Sequence, residues 1–140
     1  GNAAFPPIPI AKPGTDALGV NGGMDPIRVV YWFTKRELTQ STPLASALNR
    51  LRLVLQPNVD LSPAVSAEIL LSGVFGAVAD SVVELESDAP EHADLFCDPI
   101  SGIARRAAWD QFTSSLRFAV CAGKIFAARS TVALAFWVRN

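Results

Sequence analysis

The run Val132-Ala133-Leu134-Ala135-Phe136-Trp137-Val138 is the most apolar stretch of the chain, and it lies between two arginines, Arg129 and Arg139. A stretch this apolar has to be covered, by the rest of the fold or by a partner. It falls far short of the roughly 18–20 residues that a membrane helix needs. The other long apolar run, residues 69–79, is interrupted by Ser72, Gly73 and Gly76. The final run therefore predicts a strand rather than a span. With a side-chain period of two, Val132, Leu134, Phe136 and Val138 share one side and belong to a core. Trp137 points the other way with Ala133 and Ala135, toward a neighbouring subunit or the chain's own arm.

Other segments carry the same signature. Residues 27–37, IRVVYWFTKRE, are rich in β-branched and aromatic types and read as a strand. Residues 50–57 alternate, with Leu51, Leu53 and Leu55 inward and Arg52 and Gln56 outward. Residues 62–80 read either as a helix capped at Ser62-Pro63 or as a loop followed by a strand at 67–75. Gly73 and Gly76 favour the strand, since each weakens a helix by about 1 kcal/mol. Residues 81–87 read as one short strand, and 115–121 and 125–138 as two strands joined by a tight turn at Ala122-Gly123-Lys124.

Two short helices are expected. One opens at Thr42-Pro43 and covers residues 44–50; the other spans 98–112, with Asp98 as N-cap and Pro99 in its first turn. Residues 1–23 hold Pro6, Pro7, Pro9 and Pro13, and read as an extended arm. Phe5, Ile8, Ile10 and Leu18 give that arm apolar surface to bury. Strands do not alternate with long helices, so a doubly wound parallel sheet is excluded. The expected fold is mainly β: an antiparallel, jelly-roll-like sandwich over 24–140, with two short helices in loops and an extended arm at 1–23.

Half of the 140 residues are hydrophobic and the net charge is only −1, which points to apolar contact surfaces in a homo-oligomer. The charge is segmented. Residues 1–52 carry six Lys/Arg and three acids; residues 53–104 carry nine acids and no Lys or Arg; residues 105–140 carry six Lys/Arg and one acid. The acidic middle must be balanced from the flanks or by a cation. If its carboxylates meet across subunit contacts, their crowding would raise their pKa values. Glu84, Glu86 and Asp88 are the candidates for that role, with Trp137, Phe5, Ile8 and Ile10 as apolar contact candidates.

Catalytic signatures are missing. There is no Gly-x-Ser-x-Gly elbow and no phosphate-binding loop. The single histidine, His92, has no visible nucleophile beside it, and with Cys97 and Cys121 it makes a poor zinc set. No enzyme activity and no cofactor are expected, and no EF-hand spacing is present for a metal. The two cysteines are expected to be buried and reduced, as in a cytoplasm-like compartment. The first fourteen residues lack a basic head, so no secretory leader is expected.

The segment LNRLRLVLQPNVDLSPAVSAEILLSGVFGAVAD and the closing GKIFAARSTVALAFWVRN resemble, in the order of their features, the small icosahedral virus coat proteins with the jelly-roll fold. The resemblance covers residues 24–86 and 115–140. It implies a structural subunit that closes into a shell around nucleic acid, located in a virion, with itself as partner. It also gives RNA or DNA as a partner, met through Lys35, Arg36, Arg105 and Arg106 rather than through a densely basic arm. The reading from a different class is a small β-rich or α+β domain that binds an apolar ligand in a pocket lined by Phe75, Phe96, Trp109, Phe112, Phe118 and Phe126.

Overall fold

Leu51, Leu53 and Leu55 of one strand stand directly opposite Phe136, Leu134 and Val132 of another, and this pairing organises everything around it. The computed structural model describes residues 32–65 and 68–140. The arm residues Phe5, Ile8 and Ile10, and the first part of the strand expected at 27–37, lie outside the described residues. Phe33–Asn140 is one compact unit.

Its strands are β1 (Phe33–Gln40), β2 (Leu48–Pro57), β3 (Glu68–Leu71), β4 (Val82–Glu84), β5 (Glu86–Ser87), β6 (Phe96–Cys97), β7 (Arg106–Asp110), β8 (Ser115–Val120) and β9 (Val132–Arg139). They form two antiparallel sheets. The first runs in the order β1-β2-β9-β5, and the second in the order β3-β8-β7-β4, with β6 paired to β8 beyond the end of β7. Residues 81–87, expected as one strand, change sheets at buried Leu85: β4 pairs with β7 in the second sheet and β5 with β9 in the first.

The inner faces of both sheets contribute to a single core. Leu51, Leu53, Leu55, Val132, Leu134, Phe136 and Val138 come from the first sheet, and Ile69, Val83, Ala107, Trp109, Leu116, Phe118 and Val120 from the second. The inward set expected for the last strand is the one observed. The tight turn at 122–124 is also present, with Lys124 N–H donating to the Cys121 carbonyl and Gly123 at φ +75°. It does not make a hairpin, because β8 and β9 belong to different sheets.

Among the described residues the only helical pieces are 3-10 turns at Pro63–Val65 and Pro90–His92, so both expected helices are corrected. At residues 98–112 the Asp98 carboxylate does accept the Ile100 N–H and the Ser101 hydroxyl, as a cap would. That chemistry serves an Asx turn equally well. Gly102 and Arg105 then take positive φ, Ala104 bridges Cys97, and the chain enters β7. Ala107 and Ala108 are good helix formers, but cross-strand pairing with β4 and β8 overrides their propensity. At 42–50 the Thr42 hydroxyl accepts the Leu44 N–H in a local turn, Ser46 adopts φ 61°, and β2 begins at Leu48. The strand expected at 67–75 is shorter, 68–71, because Gly73 and Gly76 turn the chain with φ +84°.

Asn49, only 1% exposed, is a residue that the apolar pattern hides. Its carbonyl oxygen accepts the Ser41 and Thr42 N–H groups and the Ser41 hydroxyl, and its amide donates to Gln40 and Asn140. Asn140 in turn donates to the Thr42 and Leu44 carbonyls. Cys97 and Cys121 are joined in a disulfide with Cα atoms 5.2 Å apart, which corrects the reduced state expected from the sequence. The reason is register: Phe96 pairs with Val120 and Cys121 N–H donates to Leu95, so β6 brings the two thiols together.

Asn49→Leu leaves the half-buried Thr42 N–H without its acceptor and takes the donor from Gln40 and Asn140, and should cost about 1–3 kcal/mol, read as a shifted midpoint in urea unfolding. Cys121→Ser removes a link across 24 positions of sequence and should lower stability by about 2–4 kcal/mol. A melting temperature unmoved by that change, or by reductant, would show that the bond contributes nothing.

Candidate functional site

Two alanines make room for the charged layer on the outer face of the first sheet. Ala133 and Ala135 of β9 are too small to fill the space between β2 and β5, and Ala135 lies in register between Arg52 and Glu86. Arg50 and Arg52 reach across β9 to the far side. The Arg50 Nε and Nη2 contact the Glu86 Oε2 at 3.0 and 2.9 Å, and the Arg52 Nε and Nη2 contact the Asp88 Oδ2 at 2.8 and 2.7 Å. Ala135 is completely covered as a result. Trp137 is the register partner of Arg50, and its indole Nε1 donates to the second oxygen of Glu86 at 2.9 Å.

Glu86 is therefore held below the usual carboxylate range, first by the Trp137 N–H and next by the Arg50 guanidinium, against a smaller opposing effect of burial. For Glu86 within one chain the direction is the opposite of the rise expected of carboxylates crowded across a subunit contact. Three further acids of the middle segment are matched within the chain: Glu84 meets Arg106 at 2.9 Å, Asp94 meets Arg105 at 2.7 Å, and Glu68 meets Arg117 at 3.6 Å. Asp98 is also lowered. Burial alone would raise it, but the Ser101 hydroxyl and the Ile100 and Ser101 N–H groups outweigh that, with Arg106 adding to them.

Of the contact candidates, the structure brings Trp137 and Glu86 together, places Asp88 beside them on Arg52, and puts Glu84 on the second sheet. The basic candidates are separated. Lys35 lies on β1, where it meets Glu37 at 3.6 Å, with Arg36 next to it; Arg105 and Arg106 lie at the start of β7 on their own acids. The six aromatics expected to line a ligand pocket do not come together in one; Trp109 and Phe112 alone share a hollow. Phe96, Trp109, Phe118 and Phe126 are core, and Phe96 stacks edge-on against Phe118 and Phe126. Phe75 and Phe112 face outward, 84% and 98% exposed. His92 lines a crevice of about 10 Å³ with Glu86, Ser87 and Phe96, roughly the space of one water. Among the described residues no cluster of His, Cys, Asp or Glu could hold a metal ion, and no helix is long and apolar enough to cross a membrane.

The feature that sequence reasoning missed is an open cleft of about 480 Å³ at the end of the first sheet. Leu48, Val78, Val82 and Trp137 (43% exposed) form its apolar walls, and Asp80, Glu84 and Arg139 its polar rim. Val78 reaches this position through a two-way backbone bridge to Arg139. Next to it, sharing Ala79, a second hollow of about 470 Å³ is edged by Ile100 and Phe112. Phe112 is presented by an ordered turn: the Asp110 carboxylate accepts the Phe112 and Thr113 N–H groups. Those bonds, the Thr113 N–H foremost, hold Asp110 below its ordinary range. The pattern that could have flagged this end is the set Leu48, Val78 and Val82, each apolar at an outward register position. No family model, curated protein or solved structure matches the chain.

A carboxylate whose pKa is lowered in the folded state stabilises the fold above its unfolded value and loses that contribution as pH falls through its folded value. Stability should thus hold through neutral pH and decline below about pH 4. Glu86→Gln should flatten part of that acid limb and cost no more than about 1 kcal/mol at pH 7, because the group is half exposed. Unfolding midpoints from pH 2.5 to 8 give the answer; a loss of stability above neutral pH instead would restore crowded carboxylates as the controlling feature.

Proposed function

We propose that the chain is a structural subunit that assembles with copies of itself into a closed shell, of the kind a viral coat protein forms around nucleic acid. The observation that carries this reading is Phe112: an aromatic side chain almost wholly exposed, yet held out by a turn whose backbone is tied to Asp110. A large apolar group on an ordered support is a contact element, since monomers rarely display such groups in clusters. Phe75 is on the same part of the fold, where the Val74 N–H donates to the Ser114 carbonyl, and the cleft with Trp137 adjoins it through Ala79.

The winding of the strands supports a jelly-roll-like sandwich. β2 pairs with β9, β3 with β8 and β4 with β7, so successive pairs nest inside one another as in a long hairpin rolled up. The Cys97–Cys121 bond is at home on a particle that leaves reducing surroundings. Contact with nucleic acid falls to Lys35, Arg36, Arg105 and Arg106. For Lys35, Arg105 and Arg106, phosphate would replace exposed ion pairs worth less than about 1 kcal/mol each.

Sedimentation and electron microscopy of the purified chain should find large uniform particles. Phe112→Asp and Trp137→Asp should each yield a smaller species that melts within a few degrees of the parent. A chain that stays monomeric at every concentration sinks the proposal. So does a Phe112→Asp variant that assembles unchanged.

A further inference from the structure

Two exposed features lie at opposite ends of the same pair of strands. The cleft is at one end, where Leu48 pairs with Arg139. At the other end the turn at 122–124 sits beyond Pro57, fixed by the Phe126–Leu61 bridge and by the Arg129 N–H on the Pro57 carbonyl. The ten residues of β2 separate the ends by about 30 Å. The turn presents Lys124 and, immediately after it, Ile125, which is 60% exposed. Its ammonium has no acid among the described residues. The cleft presents Asp80, whose carboxylate likewise has no partner among the described residues. Glu84, also in the lining, is already met by Arg106 at 2.9 Å, so Asp80 is the acid left without an ion pair beside the walls of Leu48, Val78, Val82 and Trp137.

We infer that the occupant of this cleft is the Lys124–Ile125 turn of a second copy of the chain, with Ile125 against the apolar walls and Lys124 on Asp80. Three observations converge on that occupant. An unmatched cation adjoins an exposed aliphatic side chain on one surface. An unmatched carboxylate adjoins an apolar hollow on the other. The two surfaces are at opposite ends, so both can be occupied at once. The contact is heterologous: each copy offers its turn to one neighbour and its cleft to another, and the series closes into rings or a shell. The inference rests on the assembly proposed above and names its contact. Asp60, also at the turn's end of the fold, accepts the Ala128 N–H at 2.7 Å and is in no ion pair with Lys124.

The test uses the full chain with Asp80→Lys, with Lys124→Glu, and with an equimolar mixture of the two variants. Each substitution alone opposes like charges at every contact, and should raise the concentration needed for assembly about tenfold or more. In the mixture each cleft finds a turn of opposite charge on the other variant, so assembly should return, with the two chains alternating. Sedimentation reads the size, and native mass spectrometry of one isotope-labelled variant reads the alternation. Both positions are exposed, so unchanged melting confirms that each variant is folded. Single variants that assemble like the parent overturn the inference, and so does a mixture that stays dispersed. A parent chain that never assembles brings down the shell proposal itself. Normal parent particles with undisturbed variants remove only this contact.

Discussion

The register of β2 against β9 is the constraint on which the rest of the structure depends. A slip of one position would move Leu51, Leu53 and Leu55, or Val132, Leu134 and Phe136, from the core to the surface. The same register determines the polar side. It sets Arg52 against Ala135 and Arg50 against Trp137, which brings both guanidiniums within reach of Glu86 and Asp88 across β9. One alignment thus satisfies the apolar face and the charged face together, and a slipped alternative would lose both. At the far end it delivers Asn140 to Asn49, so the loop at 41–47 is closed by the register that closes the core.

The segmented charge of the sequence follows from the winding. A chain rolled so that early strands pair with late ones brings its flanks against its middle. Arginines of β2 and β7–β8 therefore meet acids of residues 68–94 that are distant in sequence. Each pair is at least partly exposed and contributes little by itself. Their combined effect is on alternatives: with nine acids and no cation in residues 53–104, pairing that segment with itself would crowd like charges.

The alternation of Leu51-Leu53-Leu55 and of Val132 to Val138 was legible because period two and burial on one face leave a direct trace in sequence. The turn chemistry was legible and its continuation was not. Asp98-Pro99 and Thr42-Pro43 signal a capped backbone in a turn and in a helix alike, and the decision rests on Gly102, Arg105 and Ser46 at positive φ and on strand partners far away in sequence. The split of residues 82–87 between the sheets, the Asn49 hub and the disulfide all depend on where distant segments meet, which local periodicity does not record. Trp137 was placed outward correctly. Its cleft was not foreseen, because Val78 reaches it through the bridge to Arg139 and Val82 through pairing with Ala108, both distant in sequence.

In the proposed assembly, the distribution of unmatched groups places contact at the ends of the fold rather than on its faces. The outer face of the first sheet is covered by its own arginine–carboxylate layer, and a partner docking there would have to desolvate several ion pairs for small return. The outer face of the second sheet carries Arg106 on Glu84 and Arg117 near Glu68. The ends are different. Leu48, Val78, Val82, Phe75 and Phe112 are uncovered at one end and Ile125 at the other, and neither Asp80 nor Lys124 is in an ion pair among the described residues. Burying apolar area there costs little polar desolvation, and the lone Asp80 and Lys124 then select orientation more than they add affinity. In the proposed assembly, the apolar groups left at the ends are the ones that meet, which gives the hydrophobic content of the chain a position as well as an amount.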